Sequence, residues 1–238
     1  MFAYDAQLAG AAQAPPQTIP GVLGLLETID KTCDPDDGLK WFNRLYLQVT
    51  QAVEARVTAG GFNDPKWLAE LDVQFAKLYF DALVAGLTGA PCPGSWEAMF
   101  ARRDESAIAR IQFALAGMNA RINHDLPEAI VATCKARNTV PQHATPQYDD
   151  YTAINTTLDG LIEAAKKELN VRLPGDPLPE VSHLEDLIAA WNVSDFRERA
   201  WRNAECLWQD SVLGAAILEN AIEGLTTFGS NALLVPVP

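Results

Sequence analysis

The sequence predicts an all-α protein, a single-domain bundle of roughly eight helices. Three observations carry that prediction. Apolar residues recur at helical spacing along almost the whole chain. No segment shows the apolar–polar alternation of a half-buried strand. The breaks between helical stretches carry capping residues rather than hairpin turns.

Taken in order, the stretch Gln7–Pro20 is Ala-rich and holds Pro15, Pro16 and Pro20. It reads as a loosely packed arm, so residues 1–20 are expected to form a flexible N-terminal arm and 21–238 the helical domain. A first short helix is expected over Gly21–Lys31. A second opens after Asp36-Asp37 and stops at Gly60-Gly61, acids suiting an N-terminus and glycine a C-terminal cap. A third opens at Asn63-Asp64-Pro65, an acidic cap with proline in the first turn, and runs to Gly89.

Beyond the Ala90–Gly94 loop, Ser95 is expected to cap a short helix holding Trp96 and Phe100. A longer helix starts near Glu105 with the stripe Ile108, Ile111, Leu115, Met118, Ile122. Pro127 lacks an N–H and its ring collides with the carbonyl four residues back, so this helix should kink or end there. Helical pattern resumes to Lys135, and Thr145-Pro146 opens another helix ending near Asn170. Pro174–Pro179 reads as a linker, and Ser182 to Glu185 as a capping box. Ser194 is expected to cap the last long helical region, with Phe196, Trp201, Leu207 and Trp208. The proline-rich tail from Leu233 to Pro238 would lie over apolar surface.

Composition narrows the class of function. The 238 residues are 48% hydrophobic and 21% charged, which suits an ordinary globular core. Eighteen basic against 31 acidic residues give a net charge of −13, which repels phosphate backbones and argues against a nucleic-acid partner. The first residues show no basic and apolar leader, and no run reaches about 18 apolar residues. A cytoplasmic protein with no membrane role is the expectation. Cys33, Cys92, Cys134 and Cys206 form no C-x-x-C pair, which fits free buried thiols better than a zinc knuckle or a redox motif.

Chemistry is sought where polar groups fall on inward-facing stripes, because burying them costs several kcal/mol (roughly 2–7) unless they are paired. Asp72 sits in the stripe Leu68, Leu71, Phe75, Leu78, Tyr79, Ala82. Gln112 and Asn119 lie on the Ile108–Ile122 stripe, and Asn155 between Tyr151 and Leu158. Together they make either a structural hydrogen-bond network or the lining of a pocket. The densest group is Asn119-Ala120-Arg121-Ile122-Asn123-His124-Asp125-Leu126-Pro127. Arg121 and Asp125 stand four apart on one face, with His124 beside them. A helix broken at Pro127 would free carbonyls next to an imidazole and a carboxylate. The bland alternative makes Asp125 a cap and His124 a surface residue.

Other motifs are weaker. Glu180 and His183 spell one E-x-x-H without a second copy. Asp149-Asp150 lacks the third acid of the aspartate-rich motif of class I terpene synthases. His143 lies in the Pro141–Pro146 loop. Elbow, P-loop and dinucleotide fingerprints are missing. Aromatic residues Trp41, Phe42, Tyr46, Phe75, Tyr79 and Phe80 read first as core. Arg197, four before Trp201, could form a cation–π wall with it.

These residues bring a resemblance with them. Asp37-Gly38-Leu39, Trp41-Phe42-Asn43, Leu71-Asp72-Val73 and above all Gln112-Phe113-Ala114-Leu115-Ala116-Gly117-Met118-Asn119-Ala120, continuing to Asp125-Leu126-Pro127, resemble a family of mostly bacterial, all-helical proteins of unknown function. The likeness spans about Asp37 to Leu234, completed by Tyr151, Asn155, Trp201 and Trp208. It implies a helical fold and a bacterial cytosolic origin. It also implies that relatives place a histidine where this chain has Arg121. Such a His four before Asp125 looks like one ligand pair of helical zinc phospholipases and nucleases. Arg121 breaks that pair and shifts weight toward cofactor-free chemistry.

The leading expectation is therefore an enzyme acting on a small, partly apolar molecule by acid/base chemistry, without a cofactor and with no metal assigned. Cyclisation, isomerisation, elimination and hydrolysis all fit, in a biosynthetic setting. His124, Asp125, Asp72 and Arg121 are the catalytic candidates. Asn119, Asn123, Asn155, Gln112, Tyr79, Tyr151, Trp201 and Arg197 are the candidates for holding substrate. A divalent-metal hydrolase and a non-catalytic binding or interaction protein are the alternatives.

Overall fold

The computed structural model describes residues 1–170 and 192–236, with the side chains of residues 166 and 168–170 excepted. It is all-helical, and no strand occurs among the described residues. The elements in chain order are α1 (Asp5–Ala12), α2 (Ile19–Thr32), α3 (Gly38–Ala59), α4 (Pro65–Thr88), α5 (Gly94–Arg102) and α6 (Arg110–Asn119). A π-helical segment (Ala120–Asp125) joins α6 to α7 (Leu126–Arg137). α8 (Pro146–Ala153), α9 (Asn155–Asn170), α10 (Val193–Gln209) and α11 (Val212–Leu233) complete the described set. The expected linker at Pro174–Pro179, the capping box at Ser182 and the Glu180/His183 pair lie outside the described residues.

Caps set many of the boundaries. The Asp37 carboxylate accepts the Leu39 N–H at 2.9 Å, and Asp64 accepts from Trp67 N–H at 3.0 Å with Pro65 following. Gly89 ends α4 in the left-handed region at φ +74°, where a side chain would be strained. Thr145 accepts from Tyr148 N–H ahead of Pro146. Elsewhere the boundaries move. α5 starts at Gly94 without a side-chain cap, Ser95 being buried inside it. α6 starts at Arg110, where Gln112 Oε1 accepts the Ala109 N–H. Asn192 rather than Ser194 caps α10, and α10 and α11 are two helices split at Asp210-Ser211. The helix opened by Thr145 bends at Ile154.

The first twenty residues correct an expectation. They are not a free arm: α1 packs on α4, Leu8 is fully buried and Asp5 pairs with the buried Arg103 at 2.8 Å. The small faces of Ala9 and Ala12 let α1 seat closely, which alanine-rich composition alone does not distinguish from slack.

The continuous rod Arg110–Arg137 is the axis of the bundle. Every residue from Ile111 to Ile122 is buried, so this helix is covered all round rather than along one stripe. α3 and α11 flank α6, while α4 and α10 pack on α7. Pro127 is accommodated without ending the rod. The ring would meet the Asn123 carbonyl in an α-helix, and the π turn widens the ladder just before it. The tail follows the expectation in part: Leu234 is buried, but Leu233 still belongs to α11, and Val235 and Pro236 are exposed. α11 keeps an uncharged, exposed outer face of Leu213, Ile217, Leu225 and Phe228.

Candidate functional site

The π segment gathers the densest polar group, and its members bond mainly to one another, with Arg121 Nε left buried and without a partner among the described residues. Arg121, only 1% exposed, donates to Asp125 Oδ2 at 3.0 Å, to the Phe75 carbonyl at 2.7 Å and to the Tyr46 hydroxyl at 2.8 Å. Its guanidinium lies over the Phe75 ring at 3.4 Å. Asp125 also accepts from the Trp96 indole N–H, at 3.3 Å to each oxygen. His124 Nδ1 sits 2.9 Å from Asp125 Oδ1 and Nε2 3.9 Å from Glu128. Burial, the largest single influence, works against a charged His124. Asp125, with Glu128 and Glu223 behind it, overcomes this and raises its pKa above the usual value.

The carboxamides expected to hold substrate mostly hold the protein. Gln112 donates to the Leu233 and Val235 carbonyls at 2.7 and 2.8 Å, pinning the tail. Asn119 donates to the Thr226 carbonyl and Ser230 Oγ, while its own oxygen accepts from Asn123. Tyr79 is fully buried among Phe42, Tyr46, Phe80 and Trp96, and donates to Asn43. These four are structural because each polar atom named here is already bonded inside the bundle.

Asp72 is different. It lies on α4 at 9% exposure, and its Oδ2 is buried with no hydrogen-bond partner among the described residues. It lines a partly open cavity with Tyr46, Val49, Val53, Leu68, Leu71, Phe75, Leu126, Ile154, Leu158 and Arg197. The cavity has a volume of about 40 Å³ and opens into a cleft of about 410 Å³ that includes open solvent. Desolvation dominates there and pushes the Asp72 carboxyl up to about 7, against the pull of Arg121 and with Glu54 adding to it. His124 and Asp125 do not line this cavity. The expected pairing of His124 with Asp72 in one pocket is therefore not seen, and Arg197 is the other charged side chain that lines the cavity with Asp72.

Arg197 comes from α10, and its surroundings were only partly legible. Its Nε donates to Asn155 Oδ1 at 2.7 Å and its Nη2 to the Tyr151 carbonyl at 2.8 Å. The guanidinium stacks on Tyr151 at 3.9 Å, not on Trp201 as the four-residue spacing suggests. Trp201 stands behind, packed on Trp67, Tyr148 and Tyr151, with its N–H toward Glu205. Tyr151 donates to the Arg197 carbonyl at 2.7 Å, so the two residues clamp each other.

Three groups were missed as partners. Trp96 completes the Asp125 site. Asp150 serves the turn before α4, accepting from the Asn63 and Asp64 N–H groups. His143 lies between Glu205 at 2.6 Å and Glu198 at 3.0 Å, tying its loop to α10. Among the described residues no three His, Cys, Asp or Glu side chains come together as a metal site. The four cysteines are free. No described helix is long and apolar enough to cross a membrane.

Comparison with known proteins bears on the fold more than on this chemistry. No curated protein and no solved structure matches the chain. One family model matches residues 19–236, covering the rod, the cavity and the tail. The chain belongs to that family, a family of unknown function designated DUF5995.

Proposed function

We propose that this protein is a small-molecule enzyme using acid/base chemistry without a redox cofactor, with Asp72 as its proton-transfer group. One observation carries the reading: a carboxyl with an unpartnered oxygen faces an apolar cavity, and its pKa stands near 7. A general acid or base works best when its pKa lies near the ambient pH. Apolar walls with a few convergent polar groups are the usual form of a small-molecule site. Isomerisation, elimination, cyclisation and hydrolysis all use such a proton shuttle.

Arg121, Asp125 and Trp96 are positioning residues in this reading. Arg121 holds Tyr46 and Phe75, both of which line the cavity, and Asp125 holds Arg121. The test is turnover of a substrate found by screening metabolite extracts. Asp72→Asn should lower turnover by about a hundredfold or more while the variant stays folded. His124→Ala should change it by less than about threefold, since His124 is outside the cavity, which is under 1 kcal/mol in barrier terms. A folded Asp72→Asn variant with full rate overturns the proposal. A ligand-binding protein without catalysis is the second reading, favoured by the closed bonding of Gln112, Asn119 and Asn123. It predicts binding in the same screen with no turnover.

A further inference from the structure

Arg197 is the cavity's second polar feature, and its bonding is incomplete in a particular way. It is 5% exposed, and both groups that receive its N–H bonds, the Asn155 amide oxygen and the Tyr151 carbonyl, are neutral. A guanidinium offers five N–H donors, and those two bonds use two of them. Among the described residues no carboxylate lies in ion-pairing range of it. Burial dominates its electrostatics and lowers its pKa, only partly offset by Tyr151 and Asp159. A buried cation with no carboxylate in ion-pairing range is costly, and an anionic ligand bound to it would reduce that cost.

Asp72 does not supply the anion. No ion pair joins it to Arg197, although both line the one cavity. Burial keeps much of it in the acid form near neutral pH, where it can donate a hydrogen bond. The remaining walls, among them Val49, Val53, Leu71 and Leu158, are apolar. A cationic ligand would meet Arg197. A dianion would bring a second charge against the chain's net −13. A neutral hydrocarbon would leave Arg197 uncompensated.

Building on the proposed ligand site, we infer that the cavity receives a small molecule with a single carboxylate, bound at Arg197, and an apolar body along Val49, Val53 and Leu158. An oxygen elsewhere on that molecule accepts from Asp72. Arginine suits a carboxylate because its planar fork can present two parallel N–H groups.

Four probes of similar length separate the possibilities: hexanoate, hexanamide, hexylammonium and glutarate, titrated calorimetrically into the full chain. Hexanoate should bind about tenfold or more tighter than hexanamide, with the ammonium and the dicarboxylate weaker still. Asn155→Asp provides the decisive variant. It places a carboxylate where an amide oxygen now sits 2.7 Å from Arg197 Nε, with almost no change of shape. It should weaken hexanoate about tenfold or more and leave hexanamide within about threefold. Val53→Phe, which fills the cavity, should remove binding of both. Hexanamide equal to hexanoate, or hexanoate indifferent to Asn155→Asp, overturns the carboxylate assignment and leaves the ligand site intact. Failure of all four probes to bind also overturns it, while the acid/base reading then stands or falls on Asp72→Asn turnover.

Discussion

Arg121 and Asp125 stand four residues apart on the π-helical segment, and their ion pair at 3.0 Å is closed off from water. Neither group has a solvent route to compensate the other's loss. Tyr46, held through its hydroxyl by Arg121, and Phe75, whose carbonyl accepts from Arg121, connect the pair to the cavity wall.

Removing one member of this pair should be severe. Asp125→Ala strands a buried guanidinium and the Trp96 N–H, and should cost about 3–5 kcal/mol in denaturant unfolding. A loss under about 1 kcal/mol would show that Arg121 finds other compensation.

Gly117 poses a local contest between helix propensity and packing. Alanine is the better helix former by about 1 kcal/mol. A Cβ there would stand 2.2 Å from the Phe42 ring, which is fully buried with Tyr79 and Trp96 around it. Overpacking should win, so Gly117→Ala is expected to lower stability by about 1–3 kcal/mol in thermal or denaturant melts. A stabilised variant would mean that Phe42 can move aside.

The His143 latch should respond to pH. Both ring nitrogens face carboxylates, so the bonded ring carries both protons. Slight burial opposes the charge, but the hydrogen bonds to Glu198 and Glu205 prevail and the pKa is raised. A raised histidine pKa means stability fully present below about 6.5 and lost as pH climbs through the folded-state value. His143→Gln should therefore destabilise at pH 6 and do little at pH 9. The effect is small because the ring is partly exposed and water screens it. An equal effect at both pH values contradicts the latch.

Asp72 gives the same direction over a lower pH range. Between about pH 4 and 7 the folded protein keeps a proton that the unfolded chain has released, so stability falls as pH rises. Asp72→Asn removes that dependence. Its stability relative to the parent should grow by roughly 4 kcal/mol from pH 4 to pH 8. A pH-independent difference would mean an ordinary carboxyl.

What the sequence made legible was local. Asp37, Asp64 and Thr145 announce helix starts, the position of Asp72 on an apolar stripe marks it as an inward-facing acid, and the spacing of Arg121 and Asp125 announces their pairing. A stripe says which way a residue faces, not what it meets. Gln112 finds its partners more than a hundred residues away in the tail, and Trp96 reaches Asp125 across 29 positions. Arg197 shows the limit most clearly. The i, i+4 rule offers Trp201 on its own helix, yet the ring it covers is Tyr151, from another helix 46 positions earlier. The π turn likewise depends on the rod being gripped along its length, which keeps Pro127 from ending it.

The most direct measurement is the carbon-13 NMR titration of the Asp72 side-chain carboxyl in the folded protein. A midpoint near 7 is expected, displaced when hexanoate enters the cavity. A midpoint near 4, the ordinary value for an aspartate, would contradict it.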